Sequence, residues 1–304
     1  MRILLNRVPV YDRPWGGGNL FLQAFCAEAQ MRGHHIVYSF DGMIDVAFVQ
    51  DPRPSSDVGI SIDDIIDYKM LHPSMKIAHR VNECDARKGT SMMDALLRQT
   101  SEVADVSIFV SGWMREYHTS SPAYLGGRHY VIYNGVNHDH FKPFDGIREC
   151  DRPVRLITHH WSDNVMKGKD VYEALDRFIG RSPGRFEFTY VGRHQCDFKH
   201  TRVLSSLYGQ RLGDELRQHD VYVSGSRFDP GPNHIIESIS CGLPTYVHRN
   251  GGGCVEFVGE DHVFNSVDEL FELLTLGQFV KNTFVPTTWE QCMSQYFRVI
   301  EELM

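Results

Sequence analysis

Two carboxylates, Asp229 and Glu237, stand eight positions apart in DPGPNHIIESISCGLP, with a Pro-Gly-Pro-Asn turn between them. An apolar-periodic run follows the turn and closes on Cys-Gly-Leu-Pro, so the segment reads as a helix entered through a tight loop. With Asn233 as its N-cap, Glu237 falls near the end of the first turn. The N–H groups of that turn have no acceptors within the helix and favour an anion. The two oxygens of Glu237 suit a pair of hydroxyls, such as those of a ribose. The plain alternative is a surface carboxylate.

Three further stretches carry chemistry of the same kind. In THHWSDNVMKGKDVY (158–172), polar and aromatic residues leave the end of a strand, and Lys167-Gly168 opens a helix. A lysine beside free helix N–H groups suits a diphosphate. His159 and His160 are metal-ligand types, but no third partner stands at ligand spacing, so no metal site is expected. GGGN at 16–19 and HRNGGGCVEF at 248–257 are glycine-rich turns between a strand and a helix. Such turns let backbone N–H groups approach an anion closely. Neither is GxGxxG, so the dinucleotide fingerprint is absent; the plain reading of GGGN is a flexible turn.

The elements that must hold these residues alternate. Strand-like runs at 2–5, 34–40, 45–50, 76–81, 105–111 and 129–134 are interleaved with helical patterns at 19–32, 61–71 and 92–104. The second half repeats the rhythm, with strands at 154–160, 185–192, 220–226 and 244–249 and helices at 169–178, 213–219, 233–242, 267–277 and 288–303. This alternation predicts α/β architecture: two doubly wound, Rossmann-like parallel sheets in tandem, with ligands beyond the carboxyl ends of the strands. The polar segment 137–153 is the best linker. The expected domains are 1–145, 146–286, and a final helix at 287–304 returning to the first domain.

Composition narrows the class. A chain of 304 residues, 42% hydrophobic and 23% charged, is an ordinary globular protein with ample core. The net charge is −8 and neither half is basic, which disfavours nucleic acid and anionic membranes as bulk partners. Seven cysteines, odd in number and without a CxxC pair, fit a reducing cytosol and a cytoplasmic location. The first fifteen residues are too polar for a signal peptide, and no run reaches the ~18 apolar residues of a membrane span.

Taken together, these stretches resemble the retaining glycosyltransferases of family 4, which have the GT-B fold of two Rossmann-like domains facing a cleft. Four places carry the likeness: GGGN with RGHHIVYSF, VIYNGVNHDHFKP (131–143) leading into the second domain, Lys167-Gly168, and Asp229 to Glu237 followed by CGLP and Gly251-Gly252. The resemblance implies transfer of a sugar from a nucleoside diphosphate sugar, UDP-sugar before GDP-sugar, to an acceptor hydroxyl of a glycan or small molecule. It implies retention at the anomeric carbon and no cofactor or metal. Glu237 would bind the ribose, Asp229 would lie near the transferred sugar, and Lys167 would neutralise the diphosphate. Asn233, His234 and Ile235 would cradle phosphate and sugar, and Gly17 and Gly18 would border the reacting centre. Asn19, Asn82 and Arg80 would lie on the acceptor side.

The sequence departs from the family pattern in places. The arginine expected shortly before the lysine is missing; His160 and Trp161 occupy that stretch, His160 is counted among the donor-binding residues, and Arg193 is the substitute candidate for the missing charge. Pro232 replaces a glycine and has no N–H to donate. Gly253 lengthens the second glycine turn. Competing readings are a phage-type glycosyltransferase acting on hydroxymethylated bases in DNA, with Arg80, Arg87 and Lys88 touching phosphates, a GT-B epimerase or phosphorylase, and a non-catalytic nucleotide-sugar-binding protein.

Overall fold

The computed structural model describes residues 1–12, 16–54, 59–120, 127–146 and 152–304. Part of the linker expected at 137–153, namely 147–151, lies outside the described residues. Contacts divide the chain into two compact units, Met1–Asn134 with Trp289–Met304, and Gly135–Thr288.

The first unit contains, in chain order, β1 (Arg2–Leu5), α1 (Gly16–Met31), β2 (His35–Val37), β3 (Val46–Val49), α2 (Ile62–Leu71), β4 (Lys76–Val81), α3 (Asp85–Lys88), α4 (Met93–Val103), β5 (Val106–Phe109), α5 (Gly112–Thr119) and β6 (Arg128–Val131). The strands form one parallel sheet in the order β2-β1-β3-β4-β5-β6. β3 and β5 are buried throughout, as expected for strands covered on both faces. Helix α2 starts at Ser61, whose hydroxyl accepts from Asp64 N while the Asp64 carboxylate accepts from Ser61 N, a reciprocal capping box.

The second unit continues with β7 (Val154–His160), α6 (Lys169–Gly180), β8 (Phe186–Gly192), β9 (Arg202–Leu204), α7 (Gly209–Arg217), β10 (Val221–Ser224), α8 (Asn233–Ser240), β11 (Thr245–His248), β12 (Val263–Phe264) and α9 (Val267–Leu276). Its parallel order is β12-β11-β10-β7-β8-β9. The two edge strands β9 and β12, three and two residues long, carry too little periodicity to be read from the sequence.

Helix α10 (Trp289–Glu301) closes the chain and belongs to the first unit. Its buried face, including Cys292, Met293, Tyr296, Phe297 and Ile300, packs with Phe21, Phe25 and Phe48 in one core. Phe25 and Phe297 stack at 4.7 Å and Phe21 meets Tyr296 edge-on at 4.8 Å. Each such ring taken from water contributes about 1.5–3 kcal/mol, so this helix is a structural member of the first unit.

Candidate functional site

The order of the second sheet reverses between β7 and β10, and α/β folds bind ligands beyond the strand ends at such a point. Both loops that leave this point carry charge. After β7 the chain makes a single 3-10 turn, Val165–Lys167, capped by the side chain of Asn164 accepting from Met166 N at 2.8 Å. Gly168 follows in the left-handed region at φ 99° and α6 begins only at Lys169. The sequence-based expectation that Lys167-Gly168 opens the helix is therefore shifted by a residue or two. A side chain on Gly168 would put its Cβ 2.5 Å from the Gly225 backbone, so glycine is what lets the lysine turn lie against the exit of β10.

The loop after β10 is laced on both sides by main-chain bonds. Arg227 N donates to Met166 O at 2.8 Å, Phe228 N to Asn250 O at 2.8 Å, and Asp229 N to Gly251 O at 3.1 Å. Gly253 N returns a bond to Asp229 O at 2.8 Å. Arg227 adds a two-pronged contact to Asp170 at 2.7 and 2.6 Å. The lacing holds Phe228 at φ 52°, a left-handed conformation uncommon for a residue with a Cβ, immediately before Asp229. Thus three stretches that the sequence marked separately, the lysine turn, the first carboxylate and the Gly251–Gly253 turn, form one layer.

Side chains complete the arrangement. Lys167 Nζ donates to Asp229 Oδ2 at 2.7 Å, and both side chains are mostly buried. His159 Nε2 lies 2.8 Å from Glu237 Oε2, again in a mostly buried pair. Taking the Lys167 and Asp229 charges from water is costly, and their mutual attraction offsets much of that cost. Around them, His234 Nε2 meets Ser224 Oγ at 3.0 Å. His160 Nε2 contacts Tyr172 OH at 2.6 Å, and Tyr172 OH accepts from Gly225 N at 3.0 Å. His159 and His160 thus take different partners, Glu237 and Tyr172.

The helix entry differs from the expectation. Pro232 is the N-cap of α8, and Asn233 is its first helical residue. Pro232 O accepts from Ile235 N at 3.1 Å and Ile236 N at 3.4 Å, so the helix starts one position early and Glu237 falls in its second turn. His234 and Ile235 are buried. Arg193 is exposed where β8 ends; its Nε donates to Trp161 O at 2.7 Å and its guanidinium lies 4.9 Å from the Trp161 ring centre.

The first unit presents its expected residues differently. Gly16–Gly18 form the first turn of α1 instead of a loop before it, and a Cβ on Gly18 would meet Gln50 Nε2 at 3.3 Å. Asn19 is buried and bonds Val10 N and O, each at 2.7 Å. Asn82 is half-buried just beyond β4. Arg80 is only 2% exposed; it donates to Asn134 Oδ1 at 2.8 Å, Tyr296 OH at 3.2 Å and Gln50 Oε1 at 3.3 Å, and lies 4.0 Å from the Phe21 ring centre. Arg87 is buried as well, and Lys88 pairs with Glu83 at 3.0 Å. The stretch read as touching phosphates therefore turns two of its three cations inward.

One group that sequence spacing missed has metal-ligand character: Asp229, His234 and Cys254 bring ligand-type atoms within 4.8 Å of one another, all buried. They come from three different segments, so no local motif announces them. The ammonium of Lys167 already neutralises Asp229 in this arrangement.

No protein-family model and no curated protein matches the sequence. Solved structures do. The chain is similar to sucrose-phosphate synthase from Thermosynechococcus elongatus, with a TM-score of 0.71 and 14% identity over 99% of this chain and 98% of that one. It is similar to HepE of Anabaena in complex with UDP, with a TM-score of 0.69 and 12% identity over 99% of each chain. WaaG, a glycosyltransferase involved in lipopolysaccharide biosynthesis, gives a TM-score of 0.58 and 12% identity over 97% of this chain and 95% of that one. At these identities the likeness establishes the fold, and the fold is GT-B: two Rossmann-like units, each built on a six-stranded parallel sheet. No helix among the described residues is long and apolar enough to cross a membrane.

Proposed function

We propose that the chain is a retaining glycosyltransferase that moves a sugar from a nucleoside diphosphate sugar, with UDP-sugars favoured, to a hydroxyl of a glycan or surface-polysaccharide precursor. The observation that carries this reading is the Lys167–Asp229 contact of 2.7 Å at the point where the second sheet reverses, with Glu237 on the next helix. A neighbour of the same fold holds UDP, which supports the choice of nucleotide.

In this reading Glu237 accepts from the ribose hydroxyls. Lys167 leaves Asp229 to neutralise the diphosphate, helped by the backbone at Asn233 and His234, since Ile235 N is already bonded to Pro232 O. Asp229, released from the lysine, accepts from a hydroxyl of the transferred sugar. The bond from the anomeric carbon to the diphosphate oxygen breaks, and the acceptor oxygen bonds to the same face of that carbon. The acceptor proton passes to the departing phosphate oxygen. The protein supplies fixed charge where negative charge develops, and no step requires a metal. Acceptor binding is assigned to the first unit, where Gly17 and Gly18 lie in the first turn of α1, Gly18 beside Gln50, and Asn82 follows β4.

The test is thermal stability against UDP, GDP, ADP, CMP and TDP with and without magnesium, for the native protein and Glu237→Ala. A ligand at 100 times its dissociation constant adds about 2.7 kcal/mol. One nucleotide, UDP foremost, should raise the melting temperature without metal and lose that effect in the variant. Sugar donors of that nucleotide should then turn over. Binding without turnover of any donor would favour a non-catalytic binding protein, and no shift with any nucleotide would overturn the donor-site reading.

A further inference from the structure

We infer that His159 is a positioning residue for the ribose: it fixes Glu237 so that the carboxylate presents its second oxygen to the 2′- and 3′-hydroxyls. The inference rests on the donor-site reading above and adds to it a residue that no motif marks. Two rigid elements meet at this contact. His159 is the penultimate residue of β7, and its main chain is clamped by Tyr222: His159 N donates to Tyr222 OH at 3.1 Å, and that hydroxyl donates to His159 O at 3.3 Å. Its ring stands edge-on to Tyr222 at 5.5 Å and to His234 at 6.2 Å, so packing restricts its rotation. Glu237 projects from α8.

The hydrogen-bond arithmetic leaves Glu237 equipped for a ligand. An ionised carboxylate only accepts, so the hydrogen of the 2.8 Å contact sits on His159 Nε2. That bond uses Oε2 once. Oε1 has no partner among the described residues, and the side chain is 13% exposed, so this oxygen is reachable. A carboxylate offers about four acceptor positions; one is taken by His159, and enough remain for two hydroxyls. A glutamate has three side-chain torsions to fix, and ordering them at the moment of binding weakens affinity. A histidine held by a strand and two rings fixes them beforehand.

The experiment is calorimetric binding of UDP and of 2′,3′-dideoxy-UDP to the native protein, His159→Phe, His159→Asn, His159→Gln and Glu237→Ala. Glu237→Ala should weaken UDP and leave the dideoxy analogue nearly unaffected. His159→Phe, and His159→Asn, whose amide is too short to reach, should weaken UDP about tenfold, the worth of one charge-assisted hydrogen bond. The same variants should change dideoxy-UDP by less than about twofold. His159→Gln, whose amide nitrogen stands near the place of Nε2, should recover UDP affinity to within about threefold. Equal losses for both ligands, or none for UDP, would overturn the inference while leaving Glu237 its role. If Glu237→Ala does not discriminate the two ligands, or if the native protein binds no nucleoside diphosphate, the ribose reading itself fails and the inference with it.

Discussion

The two sheets obey one topological rule and use it differently. In the first unit the order reverses between β1 and β3; the first polar residue leaving β1, Asn6, is spent on the backbone, and the next, Arg7, pairs with Asp51 at 2.8 Å with 28% of its side chain exposed. Asn6 Oδ1 accepts from Gln50 N at 2.9 Å, and its amide donates to Asp51 O at 2.5 Å and Ile60 O at 3.2 Å. One strand further, Arg80 is surrounded by neutral acceptors and a phenyl ring. In the second unit the reversal lies between β7 and β10 and holds a more fully buried ion pair, Lys167 with Asp229, beside the hydrogen bond of His159 to Glu237. A polar group that bonds backbone stabilises the fold at that place. A mostly buried ion pair contributes little net stability, so charges placed at a ligand-binding edge argue for use by a ligand. On the proposed reading, the difference lies in burial: the second edge holds a mostly buried pair that a ligand can separate, whereas the first holds backbone-bonded Asn6 and a more exposed pair.

The sharpest way to break the comparison is Lys167→Met. If the lysine serves a leaving diphosphate, transfer should fall about 100- to 1,000-fold, the scale of losing a fixed charge-stabilising donor. The native fold should weaken too, because Asp229 is left buried without its cation. Lys167→Met combined with Asp229→Asn should recover much of the melting temperature and none of the transfer rate. If rate and stability recover together, the pair is structural and the contrast between the two edges disappears.

Arg80→Ala addresses the other side. It removes a guanidinium that three neutral acceptors and a ring enclose, leaving those acceptors and a cavity behind. We expect about 2–5 kcal/mol of lost stability, from the cavity and the acceptors that lose their donor, read as a lower urea midpoint. The nucleotide-dependent melting shift should persist in the protein that remains folded. A near-neutral effect on stability with loss of acceptor use would instead return Arg80 to the acceptor site.

These variants also mark how far the sequence could be read. The alternation of patterns gave two parallel sheets, because strand and helix periods are local. The lysine, both carboxylates and the glycine turns could be found because glycine and charge are visible singly. Pairing was not visible. His159 and Glu237 are separated by 78 positions and Lys167 and Asp229 by 62, and nothing local specifies which group bonds which. Arg80 read as a phosphate contact because its charge is explicit, whereas its partners Gln50, Asn134 and Tyr296 are neutral and scattered. Asn233 read as a cap by residue type, but the Pro232 carbonyl collects the first helical bonds. Cys254 carried no signal at all, since its neighbours Asp229 and His234 come from other segments.

A smaller effect is expected at Gly168, which sets where the lysine turn sits. Gly168→Ala forces a left-handed φ of 99° on a residue with a Cβ and drives that atom to 2.5 Å from Gly225, which is backbone and cannot swing aside. The strained conformation alone costs about 1–3 kcal/mol. The variant should melt lower and bind UDP more weakly, since the turn must lift away from β10. A stability loss with unaltered UDP affinity would separate the turn from the site.

The gentlest test is pH, and it should affect both units alike. Burial pushes the imidazole of His79 in the first unit down to about 3, with the nearby His118 adding to the shift. Burial pushes His219 in the second unit down to about 4, against the opposing effect of its bond to Glu215 O. Both values lie below the ordinary 6.5, so the unfolded chain takes up these protons first. Stability is therefore complete above pH 6.5 or so and falls on acidification from there toward the folded values, by at most about 1.4 kcal/mol per pH unit for each histidine. Depressed carboxylates such as Asp51 and Asp105 act lower, because their contribution is retained above the ordinary carboxylate range and lost only below it. Urea midpoints at pH 7.5, 6.5, 5.5 and 5.0 should decline before the depressed carboxylates Asp51 and Asp105 titrate. His79→Gln should flatten the decline of the first unit and leave that of the second. A flat profile down to pH 5 would mean that neither ring is held neutral by burial, and a decline unaltered in His79→Gln would assign the effect to other imidazoles depressed by burial, such as His118 and His219.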